Sequence, residues 1–275
     1  VEQQIIETEE GNYSLSFNGE DDYVTIPSNN SFVIDNSFSL EARFKSNSNS
    51  TQSIVQGWFG YGFQLYLTQN GTVNFVLREP SGNGVGFSTS SSLTDNEWHH
   101  IVAIYDNGIV KIFVNGNLER SDIFSSSITG NSSDDLSFGH SPWANEFYNG
   151  SIDRIRAWDV ALDESSISAL QNSSILTITD GLIGNWDFNE GSGTQLTDLS
   201  GNGNDGTING ATWNLEESND LNGDINSGSF TTSISDTISL SIAAVNDAPI
   251  ISDLESQVMF EDDTLKVELS GSDVD

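Results

Sequence analysis

The 275-residue chain has no cysteine, which removes both a disulfide framework and any thiolate metal site from consideration. It is poor in positive charge. Eight Lys and Arg stand against 41 Asp and Glu, for a formal charge of −33. A surface that acidic repels phosphate backbones and anionic headgroups, which argues against nucleic acid and membrane surfaces as partners. Nor is there an apolar run near the ~18 residues of a membrane-spanning helix, so no membrane insertion is expected. An initiator Met and a signal-peptide pattern are missing from VEQQIIETEE, and the chain stops at SGSDVD in mid-pattern. Both features are expected of a piece of a longer polypeptide.

The richest segment is NEWHHIVAIYDNGIVKIFVNGNLE, Asn96 to Glu119. Ile101 to Tyr105 and Ile109 to Val114 are rich in β-branched and aromatic residues, and Asn107-Gly108 and Asn115-Gly116 fall where the chain must reverse. Asn-Gly is the strongest short-range hairpin signal, because both residues tolerate the positive φ of a type I′ turn. Two strands and the start of a third are therefore expected. Further strands read from YSLSFNGEDDYVTIP, where Tyr13, Leu15 and Phe17 share a face and the chain turns at Asn18-Gly19 to return through Tyr23 to Ile26. SFSLEARFKS aligns Phe38, Leu40, Ala42 and Phe44, and GFQLYLTQNGTVNFVLRE gives a hairpin around Asn70-Gly71. The one convincing helix is Ala161 to Asn172, with Leu162, Ile167 and Leu170 as its apolar stripe and Asp163 and Glu164 in the first turn. Strands at this spacing predict an all-β antiparallel sandwich.

The order WHH, apolar strand, DNG turn and strand ending in VNG resembles the central meander of laminin-G-like, concanavalin-A-like sandwich domains. NGSIDRIRAWDVAL resembles their closing strand, through Gly150, Ile152, Asp153, Ile155 and Trp158. GLIGNWDFNEGSGTQLTDLSGNGNDGTINGATW, residues 181–213, belongs to the same group of patterns. In many such proteins it stands before the SFNG strand. Here it follows the helix, and it is expected to close the same sandwich from its C-terminal end, since no second SLSFNGEDDYV follows to open another. Further on, AVNDAP and EDDTLKVELSGSDVD resemble the boundary and the start of a bacterial cadherin-like repeat. The expected organisation is a linker or edge strand over 1–10, the sandwich over 11–213, an acidic linker or shortened β module over 214–248, and a truncated cadherin-like or Ig-like β segment over 249–275.

An excess of carboxylates gains from divalent cations with oxygen ligands, and Ca2+ is the expected cofactor. Candidate ligands in the sandwich are Asp22 in the GEDD loop, Asp153, and Asp198, Asn202 and Asn204 of DLSGNGND, where Gly201, Gly203 and Gly206 let the backbone curl. The resemblance implies one structural calcium here, with Asp153 and Asp22 as its first ligands. Asp220, Asn222 and Asp224 match the opening ligand positions of an EF-type loop, but Ile225 stands where Gly is wanted and Thr231 where Glu is wanted, so a flexible acidic linker carries more weight. In the cadherin-like segment the resemblance implies Asn246, Asp247, Glu261, Asp273 and Asp275 as calcium ligands between repeats.

For recognition, HSPWANEFYNGS places Trp143, Asn145, Glu146 and Tyr148 on a loop as candidate ligand contacts, with Phe147 read as core. No catalytic residues are assigned. The strand signature E-x-D-x-x-E of sandwich glycosidases is absent, and His99 and His100 have no nucleophile elbow or HExxH helix beside them, so packing and hydrogen bonding explain them. The expected function is a non-catalytic, calcium-binding adhesion or recognition module of a secreted bacterial surface protein. Its partners would be a glycan or another cell-surface ligand and neighbouring repeats of the same polypeptide. The alternatives are an accessory carbohydrate-binding module of a polysaccharide-degrading enzyme and a purely structural spacer.

Overall fold

The computed structural model describes residues 13–28, 37–57, 62–79, 81–126, 128, 135–142, 144–172 and 176–216, and the backbone at 250–251 and 271–272. The chain divides into two units, Val1–Asp220 and Leu221–Asp275. In the second, the described backbone is one antiparallel pair, Ile250–Ile251 with Gly271–Ser272. The cadherin-like reading otherwise lies outside the described residues, as do residues 1–10.

The first unit is built from strands β1 (Tyr13–Asn18), β2 (Tyr23–Ile26), β3 (Ser37–Lys45), β4 (Gln52–Gly57), β5 (Phe63–Leu67), β6 (Val73–Arg78) and β7 (Gly84–Ser88). The meander follows as β8 (His99–Asp106), β9 (Ile109–Val114) and β10 (Asn117–Ile123). Then come β11 (Leu136–Phe138), the short pair β12 (His140–Ser141) and β13 (Glu146–Phe147), the long β14 (Asn149–Trp158) and helix α1 (Glu164–Asn172). The last strands are β15 (Leu182–Trp186), β16 (Gln195–Leu196), β17 (Gly206–Asn209) and β18 (Thr212–Leu215). No described helix is long and apolar enough to cross a membrane.

Two antiparallel sheets result. The first runs β10-β9-β8-β3-β14-β1-β18, with β15 sharing the free half of β14, and the second runs β16-β17-β2-β11-β4-β5-β6-β7. Residues 182–215 thus supply strands to both sheets of one sandwich. Period-two alternation decides which side chains meet between them. Phe38, Leu40, Ala42 and Phe44 of β3 are all buried on the inner face. Phe38 meets Phe63 and Phe75 of the opposite sheet at centroid distances of 5.3 and 5.8 Å, and Phe138 packs edge-on against Trp186 at 5.0 Å. Each fully buried ring of this kind contributes roughly 1.5–3 kcal/mol.

The two Asn-Gly turns of the meander have the expected geometry, with φ of 46° and 94° at Asn107-Gly108 and 48° and 76° at Asn115-Gly116. Elsewhere the structure corrects the sequence. Tyr13–Asn18 and Tyr23–Ile26 do not form a hairpin: β1 pairs with β14 and β18, whereas β2 pairs with β11 and β17, so the chain crosses between sheets at residues 19–22. The helix begins at Glu164 rather than Ala161, because Asp163 is its N-cap and accepts the Ser166 N–H at 2.8 Å. Its apolar stripe covers Val102, Ile104, Phe113 and Trp158 on the outer side of the first sheet.

Beside that helix-covered patch, the same outer face carries a buried ion cluster. Glu41 is fully buried. It accepts a hydrogen bond from His100 Nε2 at 2.9 Å and pairs with Arg154 at 3.2 Å and Arg156 at 3.4 Å. Arg156 Nε also donates to Asn185 Oδ1 at 2.9 Å. The second member of WHH, His99, bridges Asp95 and Asn115. Both histidines are therefore structural. Burial alone would push the Glu41 carboxyl up, but the His100 hydrogen bond and the two guanidinium groups outweigh it and hold the carboxyl below the usual glutamate range.

A carboxylate whose folded pKa is depressed adds stability above its unfolded value of about 4.3 and loses it as the pH falls through the folded value. Glu41→Gln is expected to cost about 3–5 kcal/mol near neutrality, because it strands two buried guanidinium groups. It should also flatten the acid limb of the stability profile. Urea denaturation across the acid range checks both, and an acid limb as steep as that of the wild type would count against this assignment.

Candidate functional site

The outer face of the second sheet is set by the same alternation. Val24, Val73, Phe75, Leu77, Leu65 and Phe138 point inward, so their neighbours point out. The register aligns Thr207, Thr25, Ser137, Gln56, Gln64, Val76 and Gly86 in one row across the strands. A second row aligns Ser53, Tyr66, Asn74 and Ser88. Along β6 the outward positions are Asn74, Val76 and Arg78. In a chain with 41 carboxylates, these rows carry none, only hydroxyl, amide, aromatic and small side chains.

The hairpin β12–β13 lies against the middle of this face. Ser141 Oγ donates to Gln56 Oε1 at 3.5 Å, and Gln64 Nε2 donates to Glu146 Oε2 at 3.1 Å. His140 stacks on Phe147 with centroids 4.3 Å apart and leans on Tyr23 at 5.3 Å. Gln56, Gln64 and Ser137 are consequently buried, while Tyr66, Asn74, Val76 and Arg78 stay half-exposed to one side. Among the described residues the buried hydroxyls of Ser53 and Ser137 have no hydrogen-bond partner. On the open wing, Asn74 Nδ2 donates to Tyr66 Oη at 2.8 Å.

Of the residues expected to contact a ligand, Glu146 reaches this face and Asn145 is exposed at the tip of the hairpin, with φ of 52°. Trp143 lies outside the described residues. Tyr148 is corrected to core: it is fully buried, and its hydroxyl donates to the Lys45 carbonyl at 2.9 Å, so it presents nothing to a ligand. Phe147 is corrected the other way, since it is half-exposed and stacks on His140 rather than filling the core. Sequence reasoning missed Gln64, Tyr66, Asn74, Val76 and Arg78. The signal was present in FQLYL and VNFVLR, where every outward position lacks an acid.

The expected calcium ligands are already engaged in hydrogen bonds and an ion pair. Asp22 closes the crossing between β1 and β2 by accepting the Asn18 N–H at 2.8 Å, and burial pushes its carboxyl up. Asp153 lies at a bulge of β14 and is bonded to Arg43. Burial pushes that carboxyl up too, against the pull of the guanidinium. Asp198, Asn202 and Asn204 do converge, but as a hydrogen-bonded clamp. Asp198 Oδ1 accepts the Asn185 and Ser200 N–H groups at 3.0 and 2.9 Å, and Oδ2 accepts the Asn204 N–H at 2.9 Å and the Ser200 hydroxyl at 2.8 Å. Asn202 and Asn204 point their amide donors at the Leu182 and Ile183 carbonyls, leaving a set of donors where a cation needs acceptors. Among the described residues no three Asp, Glu or His side chains gather to hold a metal. This donor set does not fit a calcium ion. Asp220, Asn222, Asp224, Asn246, Asp247, Glu261, Asp273 and Asp275 lie outside the described residues.

With the geometry in view, the comparisons with known proteins agree on the class. A profile of the concanavalin A-like lectin/glucanases superfamily matches residues 18–168, and the chain belongs to that superfamily. No curated protein matches it. Among solved structures it is similar to a candidate carbohydrate-binding protein from Bacteroides ovatus, at 19% identity and a TM-score of 0.61, over 74% of this chain and 60% of that one. It thus spans less than two thirds of that protein. It is also similar to the heptameric SAP-like pentraxin of Limulus polyphemus, at 14% identity and a TM-score of 0.51, over 73% of this chain and 96% of that one. These likenesses show the fold, an antiparallel sandwich of the concanavalin A-like, laminin-G type with one short helix.

Asp198→Ala orphans four donors in a largely buried loop and is expected to cost roughly 3 kcal/mol or more in urea denaturation. In the same spirit, adding calcium to EDTA-treated protein should leave the Tm of the sandwich unmoved, since an ion that does not bind the native state cannot stabilise it. A marked rise would show that one of these carboxylates exchanges its donors for the ion.

Proposed function

We infer that residues 13–216 form a non-catalytic carbohydrate-recognition module whose ligand lies on the open wing of the second sheet, over Tyr66, Asn74, Val76 and Arg78 and bordered by Glu146. The observation that carries this reading is the chemistry of the face. A heavily acidic chain keeps its outward rows free of carboxylates and furnishes them with amides, hydroxyls and a phenol, the groups that exchange hydrogen bonds with sugar hydroxyls while a ring or methyl packs on the sugar's apolar side. Glycoside hydrolysis needs a pair of carboxyl groups about 5–9.5 Å apart, and the rows themselves offer no such pair. Similarity to the Bacteroides ovatus candidate carbohydrate-binding protein supports the same class.

In this reading the module belongs to a secreted, surface-attached polypeptide, because AVNDAP and the acidic residues after the sandwich resemble cadherin-like repeats. Any calcium belongs to that segment and serves adhesion between repeats rather than the glycan site. The test is a glycan array on the full chain, followed by calorimetry on the hits. Tyr66→Ala and Asn74→Ala are expected to weaken binding about tenfold each, near 1.4 kcal/mol, while changing the Tm little. Binding that survives both substitutions would move the site off this face, and an array without hits would leave the spacer reading.

A further inference from the structure

Arg43, Lys45, Arg120, Arg154 and Arg156 each lie within ion-pair distance of a carboxylate. Among the described cations two do not, Lys111 and Arg78. The Arg78 backbone N–H donates to the Gly62 carbonyl, but its guanidinium has no hydrogen bond or ion pair among the described residues, although the next residue is Glu79. Glu79 spends its carboxylate on the Ser81 hydroxyl at 3.1 Å. In a chain of net charge −33, an arginine without a carboxylate is an anomaly, since acids outnumber bases five to one, 41 to 8.

The backbone around it explains how that state is kept. On the neighbouring strand β7 the outward positions facing Val76 and Arg78 are Gly86 and Gly84. A Cβ at Gly84 would stand 3.1 Å from Val76 Cγ1 and 3.3 Å from Arg78 Nη1, and one at Gly86 would stand 2.8 Å from the Asn74 amide. The bare glycines let the β6 side chains lean over β7, where Val76 and Arg78 face no side chain and Asn74 faces only Ser88. A strip results, running from Asn74 to Arg78, roughly 13 Å long at about 3.3 Å per residue. It is amide at one end, apolar in the middle and cationic at the other, and long enough to underlie a disaccharide.

We propose that this strip selects glycans bearing a carboxylate, that is, uronic-acid-containing oligosaccharides, with the Arg78 guanidinium as the group that reads the charge. The proposal rests on the carbohydrate-binding reading above and specifies its ligand. A carboxylate offers two oxygens in the plane that the guanidinium fork matches, and a charge-assisted pair of this kind is about twice as strong as a neutral hydrogen bond. The acidic remainder of the molecule does not cancel it. At physiological ionic strength charges beyond about 8–10 Å are largely screened, the outward strand rows around Arg78 carry no acid, and the bordering carboxylates are engaged, Glu79 by the Ser81 hydroxyl and Glu146 by the Gln64 amide. Arg78 is a specificity-determining residue here and takes no part in holding the fold.

The experiment is calorimetry on the full chain in EDTA buffer, with a panel of short oligosaccharides of galacturonate, glucuronate and mannuronate, each beside its carboxyl-reduced, neutral counterpart. A neutral oligosaccharide bearing sulfate esters forms the third arm. The uronate form is expected to bind about tenfold more tightly than its reduced partner. Arg78→Met should abolish that preference without moving the Tm, and Arg78→Lys should retain part of it as a point charge lacking the fork. Equal binding of uronate and reduced forms by the wild type would overturn the proposal, as would a preference that persists in Arg78→Met. So would a sulfated arm that outbinds every uronate. If the neutral forms bind through Tyr66 and Asn74 with no uronate preference, only this proposal falls. If no glycan of any kind binds, the carbohydrate reading falls with it.

Discussion

Glu41 is a carboxylate with no access to water, and it persists as an anion because His100, Arg154 and Arg156 converge on it from the two adjacent strands. Such a cluster adds little over apolar packing in net stability, but breaking it is expensive. Its consequence is register. Shifting β3 by one residue against β8 and β14 would turn Glu41 toward Phe63 and Phe75 and put Phe38, Leu40, Ala42 and Phe44 on the outer side. The central strands of the first sheet are thereby fixed to one alignment, and β14 then offers its other edge to β1 over residues 149–152 and to β15 over 155–158.

The candidate site inherits its position from that alignment. Phe38 on β3 meets Phe63 and Phe75, which are the inward residues of β5 and β6. Seating those two rings fixes where Gln64, Asn74 and Val76 emerge on the far side of the second sheet, one residue along in each strand. The site therefore stands on strand positions rather than on mobile loops, with Glu146 and the hairpin as its one loop-borne border. Under the proposed function, binding a flexible oligosaccharide on a surface already held in place would limit the ordering cost to the ligand.

How much of this was legible in the sequence follows from the length scale of each signal. Alternation and Asn-Gly turns are local, so the meander, the hairpin of β5 and β6 and the inward face of β3 could be read directly. Pairings between distant strands are not local. The crossing at residues 19–22 looks like any Asn-Gly turn until β1 is seen beside β14. The same limit applies to sites. Asp198, Asn202 and Asn204 converge as their spacing suggests, but sequence cannot tell whether the loop's backbone will present carbonyl acceptors or N–H donors to the gap. Here it presents donors, and a carboxylate fills the role a cation would have taken. Tyr148 was misread because a tyrosine after a loop looks exposed unless the Lys45 carbonyl that accepts its hydroxyl is known. Arg78 is the converse case: a charge that sequence treats as ordinary is informative only once the other described arginines are seen to be paired.

The distribution of acids connects these points. With no disulfide and no fitting metal site in the described sandwich, a chain of net charge −33 has few means of offsetting carboxylate repulsion, and it uses its scarce cations inside. Arg154 and Arg156 are buried at Glu41, the half-buried Arg43 pairs with Asp153, and Arg43 and Lys45 lie 4.3 and 4.8 Å from the Trp98 ring centroid. Asp198 and Glu119 are satisfied by backbone and hydroxyl donors instead, Glu119 by the N–H and hydroxyl groups of Ser90 and Ser91. The remaining described acids lie mostly in loops, at strand ends or on edge strands, where water and salt screen them. A neutral outer face on the second sheet is therefore not the default outcome for this composition. It requires that β2, β5, β6, β11 and β17 each exclude Asp and Glu from outward positions, which solubility would favour filling with charge. Burial under the hairpin already excludes acids at Gln64 and Ser137, but at the half-exposed positions Thr25, Tyr66, Asn74 and Val76 folding alone gives no reason for the exclusion, since an outward carboxylate there costs little. Recognition of a polar ligand that acids would repel or out-compete does give one.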